Sequence, residues 1–440
     1  MKADPARREA HSRLLRYRPG SKLREEPTAG LARELVYGVL RHRRTLDAVI
    51  APFVRQRLHT LEPELRAALE MAVWQFLFDA ETPRPLVVAS TVELAGKSMK
   101  RRGFLNAVLR KMGIALTPVD ASVVATRPRD VIPTSLGGGQ RVEGLMMPDP
   151  VEDLPGWLSI AYSVTPWFAA LLVAERPNDA EAVLRALNTS LPIAVRHNAA
   201  KGSAESARAA VVAAKGTITR DLGAVFEIAF DGDVGKFAPI RDGIVSVQDF
   251  VAASVAPFVD PKSGDRILDL CAGVGGKTVH LAELAPEASI VAGDISEVRL
   301  ATLRENAKRL GLKNVTTASL GLEGTRMPEG LFDRVLVDAP CSNSGVLMKR
   351  IEARDRLNEE AVDEVVTLQE AILKRAAACV KPGGVLVYAT CSILKDENRG
   401  TVEAFLIDHP GAFELVEDKT FWPHETGRDG GYMARLVRKS

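Results

Sequence analysis

The sequence predicts a chain of three folded parts: an all-α bundle, a small α+β domain and a larger α/β domain. Three observations support this division. Helical periodicity runs almost unbroken through residues 5–117, a stretch rich in proline and glycine follows at 127–156, and apolar strands alternate with helices from residue 241 onward. A chain of 440 residues is long enough to hold two or three domains.

The first domain is predicted to be a helical bundle covering residues 1–126. Its helices are expected at 6–15, 28–40, 45–58, 62–78, 86–97 and 102–112. Residues 1–130 carry 24 Lys and Arg against 14 Asp and Glu, whereas the remainder carries 34 against 42. A basic first domain in an otherwise acidic chain favours contact with a polyanion such as nucleic acid. Basic helices that are merely exposed to solvent would give the same counts.

Residues 127–156 are predicted to be a linker without regular elements, because five prolines and the glycines at 137–139 interrupt helices and strands. Helices are then expected at 157–174 and 179–188, and strands at 192–198 and 223–230. Together they predict a small α+β domain over residues 157–240. Two polar residues on its first strand, Arg196 and Asn198, could contact RNA or could simply form the polar face of that strand.

The last domain, residues 241–440, is predicted to be α/β with a mostly parallel sheet covered by helices on both faces. Its strands are expected at 266–270, 289–293, 332–338 and 385–390, with crossing helices at 297–310 and 358–380. In such sheets ligands bind beyond the carboxyl ends of the strands. Chemistry is therefore expected where each strand ends.

A glycine-rich turn follows the first of these strands, with Gly273, Gly275 and Gly276 ahead of a helix. A phosphate-binding P-loop would need glycine where Cys271 stands, and a dinucleotide fingerprint would need glycine where Thr278 stands, so neither motif is complete. The next strand leads to an acid, Asp294, which could hold the hydroxyls of a ribose. The pattern indicates a Rossmann-like site for a nucleoside cofactor, although an ordinary strand-to-helix turn would look similar.

Two cysteines stand just past apolar strands, and each is followed by serine. Cys341 comes three residues after Asp338, and Cys391 follows the strand that ends at residue 390. Either cysteine alone could be inert packing, as Cys379 within a helix is expected to be. Two of them at the mouths of one nucleoside-binding sheet instead indicate covalent chemistry, with Lys277 as a candidate to lower a thiol pKa.

Such a pair suits methylation at carbon 5 of a cytosine. This carbon is a weak nucleophile until a thiolate adds at carbon 6, after which a base must remove the proton at carbon 5 so that the thiolate can leave. The base must also be unstacked before a thiol can reach its ring.

Three strings, Asp-Leu-Cys-Ala-Gly-Val-Gly-Gly-Lys-Thr, Asp-Ala-Pro-Cys-Ser and Ala-Thr-Cys-Ser, together resemble the RNA 5-methylcytosine methyltransferases of the Nol1/Nop2/Sun family. In the first domain, the strings at 34–41, 46–50, 74–78 and 103–110 resemble the NusB-like RNA-binding domain, which also heads one group of RNA methyltransferases. The resemblance implies a class I methyltransferase domain that uses S-adenosyl-L-methionine. The RNA partner that it implies is 16S rRNA or a small-subunit particle.

The resemblance also implies roles for individual residues. Cys391 matches the nucleophile, Cys341 the cysteine that helps to release product, Asp338 the acid that bonds the target base, and Lys277 a lysine close to both. The residues that match the cofactor-binding segments are Cys271, Ala272, Gly273, Val274, Gly275, Gly276, Lys277, Asp294 and Asp338. No metal site is predicted.

The sequence departs from the family pattern at three places. Gly273 and Val274 replace an Ala-Pro pair, and residues 348–354 form a basic string where a His-Pro string and a tryptophan are common. The acid expected to read the adenine amino group is missing at 319–321, where Glu323 could substitute for it. Adenine recognition is therefore the least defined part of the predicted site.

We predict a cytoplasmic, monomeric RNA (cytosine-5) methyltransferase whose four cysteines are free thiols, with no signal peptide and no membrane span. Two alternatives remain at this point. The same chemistry could act on another RNA, or the chain could be an RNA-binding assembly factor with an inactive methyltransferase domain. The intact set of Lys277, Asp338, Cys341 and Cys391 argues against the second alternative.

Overall fold

The computed structural model describes residues 4–21, 23, 30–134, 137–321 and 326–440. The chain forms two compact units, one comprising residues up to Thr189 together with Leu347–Asn358, and the other comprising Ser190–Val346 and Glu359–Ser440. Within these ranges, no helix is both long and apolar enough to cross a lipid bilayer.

The first unit is mainly helical. Its helices are α1 (Pro5–Arg16), α2 (Leu31–Ile50), α3 (Pro63–Phe78), α4 (Arg84–Val92), α5 (Met99–Ala115), α6 (Ala121–Ala125), α7 (Leu154–Ala161), α8 (Pro166–Glu175) and α9 (Ala180–Asn188). Three short strands, β1 (Leu116–Val119), β2 (Val131–Pro133) and β3 (Gly139–Val142), pair antiparallel in the order β1-β3-β2. The predicted bundle is confirmed.

Three details of the first unit differ from the predictions. Residues 127–156 hold two strands, so the expectation of no regular element there is wrong: the apolar pair Val131 and Ile132 is fully buried and pairs with β3. The helix expected at 157–174 is two helices, because Ser163 has a positive φ of 54° and the Thr165 side chain caps α8. The helices expected at 28–40 and 45–58 meet at a kink within α2, where His42 has non-helical angles (φ −113°, ψ 17°), and α2 ends at Ile50, so the second helix is shorter than predicted.

The segment Leu347–Asn358 belongs to the first unit although its neighbours in sequence belong to the second. Its Arg354 is buried and donates hydrogen bonds to the backbone oxygens of Tyr162 (3.2 Å) and Leu187 (2.6 Å). Asp355 accepts hydrogen bonds from the Tyr17 hydroxyl and the Gly20 amide. The string that looked merely basic in the sequence therefore contributes to the packing of the helical unit. The predicted boundaries at 126, 156 and 240 stay predictions.

The second unit contains two sheets. The smaller one is antiparallel, in the order β5-β6-β4-β7, and is built from β4 (Ile193–His197), β5 (Thr217–Asp221), β6 (Val225–Ala229) and β7 (Val245–Val247), with helices α10 (Ala204–Ala213) and α11 (Ala238–Arg241).

The larger sheet has seven strands in the order β10-β9-β8-β11-β12-β14-β13. Its strands are β8 (Arg266–Asp269), β9 (Ser289–Asp294), β10 (Val315–Ser319), β11 (Phe332–Asp338), β12 (Val380–Thr390), β13 (Phe413–Phe421) and β14 (Gly431–Arg438). The helices around it are α12 (Phe250–Val259), α13 (Gly276–Leu284), α14 (Glu297–Leu310), α15 (Glu359–Ala378), α16 (Thr401–Asp408) and α17 (Pro423–Thr426). The first five strands of this order run parallel, and β14 pairs antiparallel with both of its neighbours, β12 and β13.

Helices cover both faces of this sheet, as the sequence predicted. Because side chains alternate along a strand, Val335 and Val337 of β11 pack toward Leu373 of α15, whereas Leu336 packs with Leu281 of α13 on the opposite face. The result is a Rossmann-like α/β arrangement, so the predicted fold class is confirmed. The carboxyl ends of β9, β8, β11 and β12 lie side by side at one edge, where the predicted site residues stand.

Candidate active site

Two thiols face each other at the ends of β11 and β12. The Sγ atoms of Cys341 and Cys391 are 2.8 Å apart, and the Cys391 thiol also lies 3.3 Å from the Oδ1 atom of Asn343. The two loops that carry them are joined by a backbone hydrogen bond of 3.0 Å from the Gly345 amide to the Cys391 carbonyl. The structure therefore brings together the two cysteines that the sequence singled out.

The surroundings of Cys341 favour its protonated form. The pKa of Cys341 is raised well above the usual range for a thiol. The causes are its hydrogen bond to Cys391, its burial and the nearby negative charge of Glu397. At neutral pH Cys341 is therefore protonated, which suits it to give or relay a proton rather than to attack as a thiolate.

A lysine and an aspartate form an ion pair close to the thiols. The Nζ atom of Lys277, in the first turn of α13, lies 2.6 Å from the Oδ2 atom of Asp338 at the end of β11. Burial works to lower the pKa of Lys277, but the Asp338 carboxylate, with a further contribution from Cys391, raises it overall. Lys277 therefore stays positively charged and gives the site a fixed cation beside Asp338 and Cys391.

The glycine turn lies between β8 and α13. Gly273 and Gly275 have positive φ angles of 57° and 92°, a conformation that suits glycine. The Gly273 amide donates a hydrogen bond of 2.9 Å to the Oδ2 atom of Asp294 at the end of β9, and the Ala272 amide donates one to the Gly293 carbonyl. The backbone of the glycine turn and the Asp294 carboxylate thus lie together on one short stretch of the sheet edge.

This turn fits a nucleoside cofactor. A Cβ atom added at Gly273 or Gly276 would meet no protein atom within 4 Å, so open space lies beside the backbone there. Val274 is half exposed, with an exposed fraction of 53%. Burial raises the pKa of Cys271, so this third thiol remains protonated and is not a competing nucleophile.

Sequence reasoning missed Asp269, the last residue of β8. It is buried, its Oδ2 atom accepts a hydrogen bond of 2.6 Å from the Thr278 hydroxyl, and its Oδ1 atom has no partner in the described part of the chain. Burial raises the pKa of Asp269 to about 7, and the neighbouring Asp338 adds to this. An acid that ends a strand directly before a glycine turn was the signal in the sequence.

Glu397 was also missed. It is fully buried beyond the end of β12 and accepts hydrogen bonds from residues that follow both Cys341 and Cys391. The sequence showed only a polar string opening a helix, so the contacts of Glu397 could not be foreseen.

Two residues left open by the sequence have structural roles. Arg196 is buried, forms an ion pair with Glu283 of α13 and donates a hydrogen bond of 2.7 Å to Gln248, while Asn198 is buried and donates to the Gly243 carbonyl. Neither side chain is available for RNA contact. Glu323, the candidate for reading adenine, lies outside the described residues.

Comparison with known proteins identifies the family. Residues 256–437 match the family model for 16S rRNA methyltransferase RsmB/F, and residues 4–113 match the NusB family. Over 423 residues the chain is 30% identical to ribosomal RNA small subunit methyltransferase B of Escherichia coli strain K12, covering 93% of this chain and 90% of that protein. The chain belongs to the ribosomal RNA small subunit methyltransferase B family. It is therefore an rRNA methyltransferase that uses S-adenosyl-L-methionine.

Solved structures share the fold of this chain. The crystal structure of PH0851 is 25% identical, with a TM-score of 0.74 over 99% of both chains. NSun6 from Pyrococcus horikoshii, solved with SFG, is 20% identical, with a TM-score of 0.56 over 62% of this chain and 97% of that one, and shows the likeness of fold alone. The resemblance inferred from the sequence strings is confirmed.

Proposed function

We propose that this member of the ribosomal RNA small subunit methyltransferase B family methylates carbon 5 of a cytosine in 16S rRNA through a covalent bond to Cys391. The observation that carries the proposal is the pair of thiols 2.8 Å apart at the mouths of adjacent strands. One flipped pyrimidine ring could then meet both sulfur atoms.

The Cys391 thiolate adds to carbon 6 of the cytosine, and the electron pair that this addition releases into the ring makes carbon 5 nucleophilic. After carbon 5 is methylated, a base removes the proton at that carbon. The bond between carbon 6 and the Cys391 sulfur then breaks and restores the aromatic ring. Because Cys341 lies beside Cys391 and holds its own proton at neutral pH, it assists the departure of the Cys391 thiolate.

Lys277 and Asp338 orient the reacting groups. Asp338 has an oxygen available to bond the exocyclic amino group of the cytosine, while its other oxygen pairs with Lys277. The positive charge of Lys277 favours the thiolate form of a neighbouring sulfur. These two residues thereby couple the recognition of the base to the activation of the nucleophile.

The turn of residues 271–276, Asp294, Asp338 and Lys277 would hold S-adenosyl-L-methionine. The open space beside Gly273 and Gly276 supports this assignment. When bound, S-adenosyl-L-methionine supplies an electrophilic methyl group.

The test is methyl transfer by variants of the full-length protein to small-subunit RNA, both deproteinised and partly assembled. Cys391→Ala is expected to abolish transfer, and mapping of the modified base is expected to show 5-methylcytosine at one site. Cys379→Ala serves as the matched control and should leave the rate unchanged, because within the described residues the Cys379 thiol bonds a backbone oxygen of α15, at 3.7 Å, and no residue of the site. Transfer that survives Cys391→Ala, or a methyl group found on another atom, would refute the proposal.

We also propose that the protein is a monomer in the cytoplasm. Light scattering on the purified protein tests the first statement, since a mass of about twice the chain mass of 47.5 kDa would contradict it. Fractionation of the cells that make the protein tests the second.

A further inference from the structure

Glu397 is a buried carboxylate that no step of the proposed reaction uses. It lies in a single π-helical turn, Asp396–Gly400, between β12 and α16, and its exposed fraction is 0%. In the described part of the chain no Lys, Arg or His forms an ion pair with it. A buried charge without a counter-ion is unfavourable unless hydrogen bonds compensate for it, so its partners indicate why it is kept.

Its partners lie on the two loops that carry the thiols. The Oε2 atom accepts a hydrogen bond of 2.7 Å from the backbone amide of Ser342, the residue after Cys341. The Oε1 atom accepts one from the Ser342 hydroxyl and another, of 2.6 Å, from the hydroxyl of Ser392, the residue after Cys391. One carboxylate therefore joins the residues that directly follow both cysteines.

Further hydrogen bonds fix the carboxylate, the backbone of Glu397 and the loop that follows Cys391. Gln369 of α15 donates to its Oε2 atom at 3.1 Å and to the Pro340 carbonyl at 2.9 Å. The Tyr388 hydroxyl of β12 donates to the Glu397 carbonyl at 2.7 Å. The neighbouring Asn398 donates to the Ser392 carbonyl at 2.9 Å. Because these partners belong to the sheet and its covering helix, the position of the carboxylate is fixed by the fold.

A neutral amide would lack the charge of this carboxylate and would reverse two of its hydrogen bonds. Two N–H groups donate to the Oε2 atom of Glu397 and two serine hydroxyls donate to its Oε1 atom, whereas the NH₂ group of a glutamine would make those hydroxyls accept instead of donate. The negative charge also contributes to the raised pKa of Cys341. Both the shape and the charge of Glu397 thus act on the thiol pair.

We propose that Glu397 is a positioning residue for the two-thiol reaction: its carboxylate holds the Cys341 loop and the Cys391 loop at a fixed spacing and acts electrostatically on Cys341. This inference rests on the proposed function. It assigns to the buried carboxylate a task that neither thiol can perform for itself, which is to keep both sulfur atoms in reach of the same ring.

The first test needs no RNA and is therefore independent of the proposed reaction. The rate of alkylation of Cys341 by iodoacetamide is measured against pH in the full-length protein, with the Cys341 peptide quantified by mass spectrometry. Glu397→Gln is expected to move the midpoint of this profile to lower pH, because it removes a negative charge that opposes ionisation of the thiol. Glu403→Gln, on the exposed surface of α16, is the matched control and should leave the midpoint unchanged.

The second test is the single-turnover methylation rate with small-subunit RNA. Glu397→Gln is expected to lower it about 10- to 100-fold, because the thiols are displaced, while affinity for S-adenosylhomocysteine changes less than about twofold. Ser342→Ala, which removes only one hydroxyl from the carboxylate, gives a smaller loss in the same direction and serves if Glu397→Gln does not fold.

The inference would be overturned if Glu397→Gln folds and keeps both the wild-type alkylation midpoint and the wild-type methylation rate. If Glu397→Gln does not fold, a wild-type methylation rate for Ser342→Ala would overturn it. The two proposals can also fail separately. If Glu397→Gln shifts the alkylation midpoint but Cys391→Ala remains active, the positioning role of Glu397 is supported and the covalent mechanism is refuted.

Discussion

At the scale of single residues, the site separates groups by how firmly they hold protons. Cys341 keeps its proton, and Lys277 keeps its charge beside Asp338. The sequence could nominate these residues because each stands just after a strand or at the start of a helix. It could not nominate Glu397, whose role depends on hydrogen bonds to residues 55 and 5 positions away in the chain.

Asp269 makes the stability of the protein depend on pH. Burial raises the pKa of Asp269 in the folded protein to about 7, above its usual value of about 4, so between these values the folded state holds a proton that the unfolded chain has already released. The free energy of unfolding therefore falls as pH rises through this window and is level above it. Asp269→Asn removes this dependence while keeping an acceptor for the Thr278 hydroxyl.

Urea unfolding of the wild type and of Asp269→Asn measures this difference. Relative to the wild type, the variant is expected to gain about 3 kcal/mol between about pH 5 and pH 8, since each pKa unit corresponds to about 1.4 kcal/mol. Asp333→Asn is the control. Burial works to raise the pKa of Asp333, but Lys381 and the Arg266 amide lower it overall, so the carboxylate stays ionised and the change in unfolding free energy should be constant over this pH range. An equally constant difference for Asp269→Asn would contradict the account.

At the scale of secondary-structure elements, periodicity predicted the four strands β8, β9, β11 and β12 and their covering helices, because these strands read as apolar runs. It did not predict β14 or the two edge strands β10 and β13, which are largely exposed. The errors arose where local geometry decides. The break between α7 and α8 depends on the backbone of Ser163 and the cap at Thr165, and strand β2 forms only because β3 supplies its partners. Neither feature has a repeating pattern that a sequence reader could detect.

The turn between β8 and α13 provides a prediction at this scale. Gly275→Ala is expected to lower the free energy of unfolding by about 2 kcal/mol or more, because alanine is disfavoured at a φ of 92° and its Cβ would lie 2.6 Å from the Cγ atom of Leu303. Thermal unfolding of the ligand-free protein measures the loss. Gly276→Ala is the matched control, since its Cβ would meet no protein atom and alanine favours a helix start. Equal melting temperatures for the two variants would contradict this reading of the turn.

At the scale of the whole molecule, the order of residues along the chain does not follow the compact units. Leu347–Asn358 begins six residues after Cys341 yet packs within the helical unit, with Arg354 buried there. Burial lowers the pKa of Arg354 to about 9, a cost offset by its bonds to backbone oxygens. Periodicity places a segment in a secondary structure but carries no information on which unit it joins, so sequence reading assigned these residues to the neighbouring domain.

The central claim is that Cys391 attacks the cytosine and Cys341 assists its release. The most direct measurement is peptide mapping by mass spectrometry of the covalent protein–RNA adduct formed by Cys341→Ala in the presence of S-adenosyl-L-methionine. The account predicts an adduct that accumulates, with RNA attached at Cys391 and the attached cytosine methylated at carbon 5. The absence of any adduct, or RNA attached at Cys341 in the Cys391→Ala protein, would contradict it.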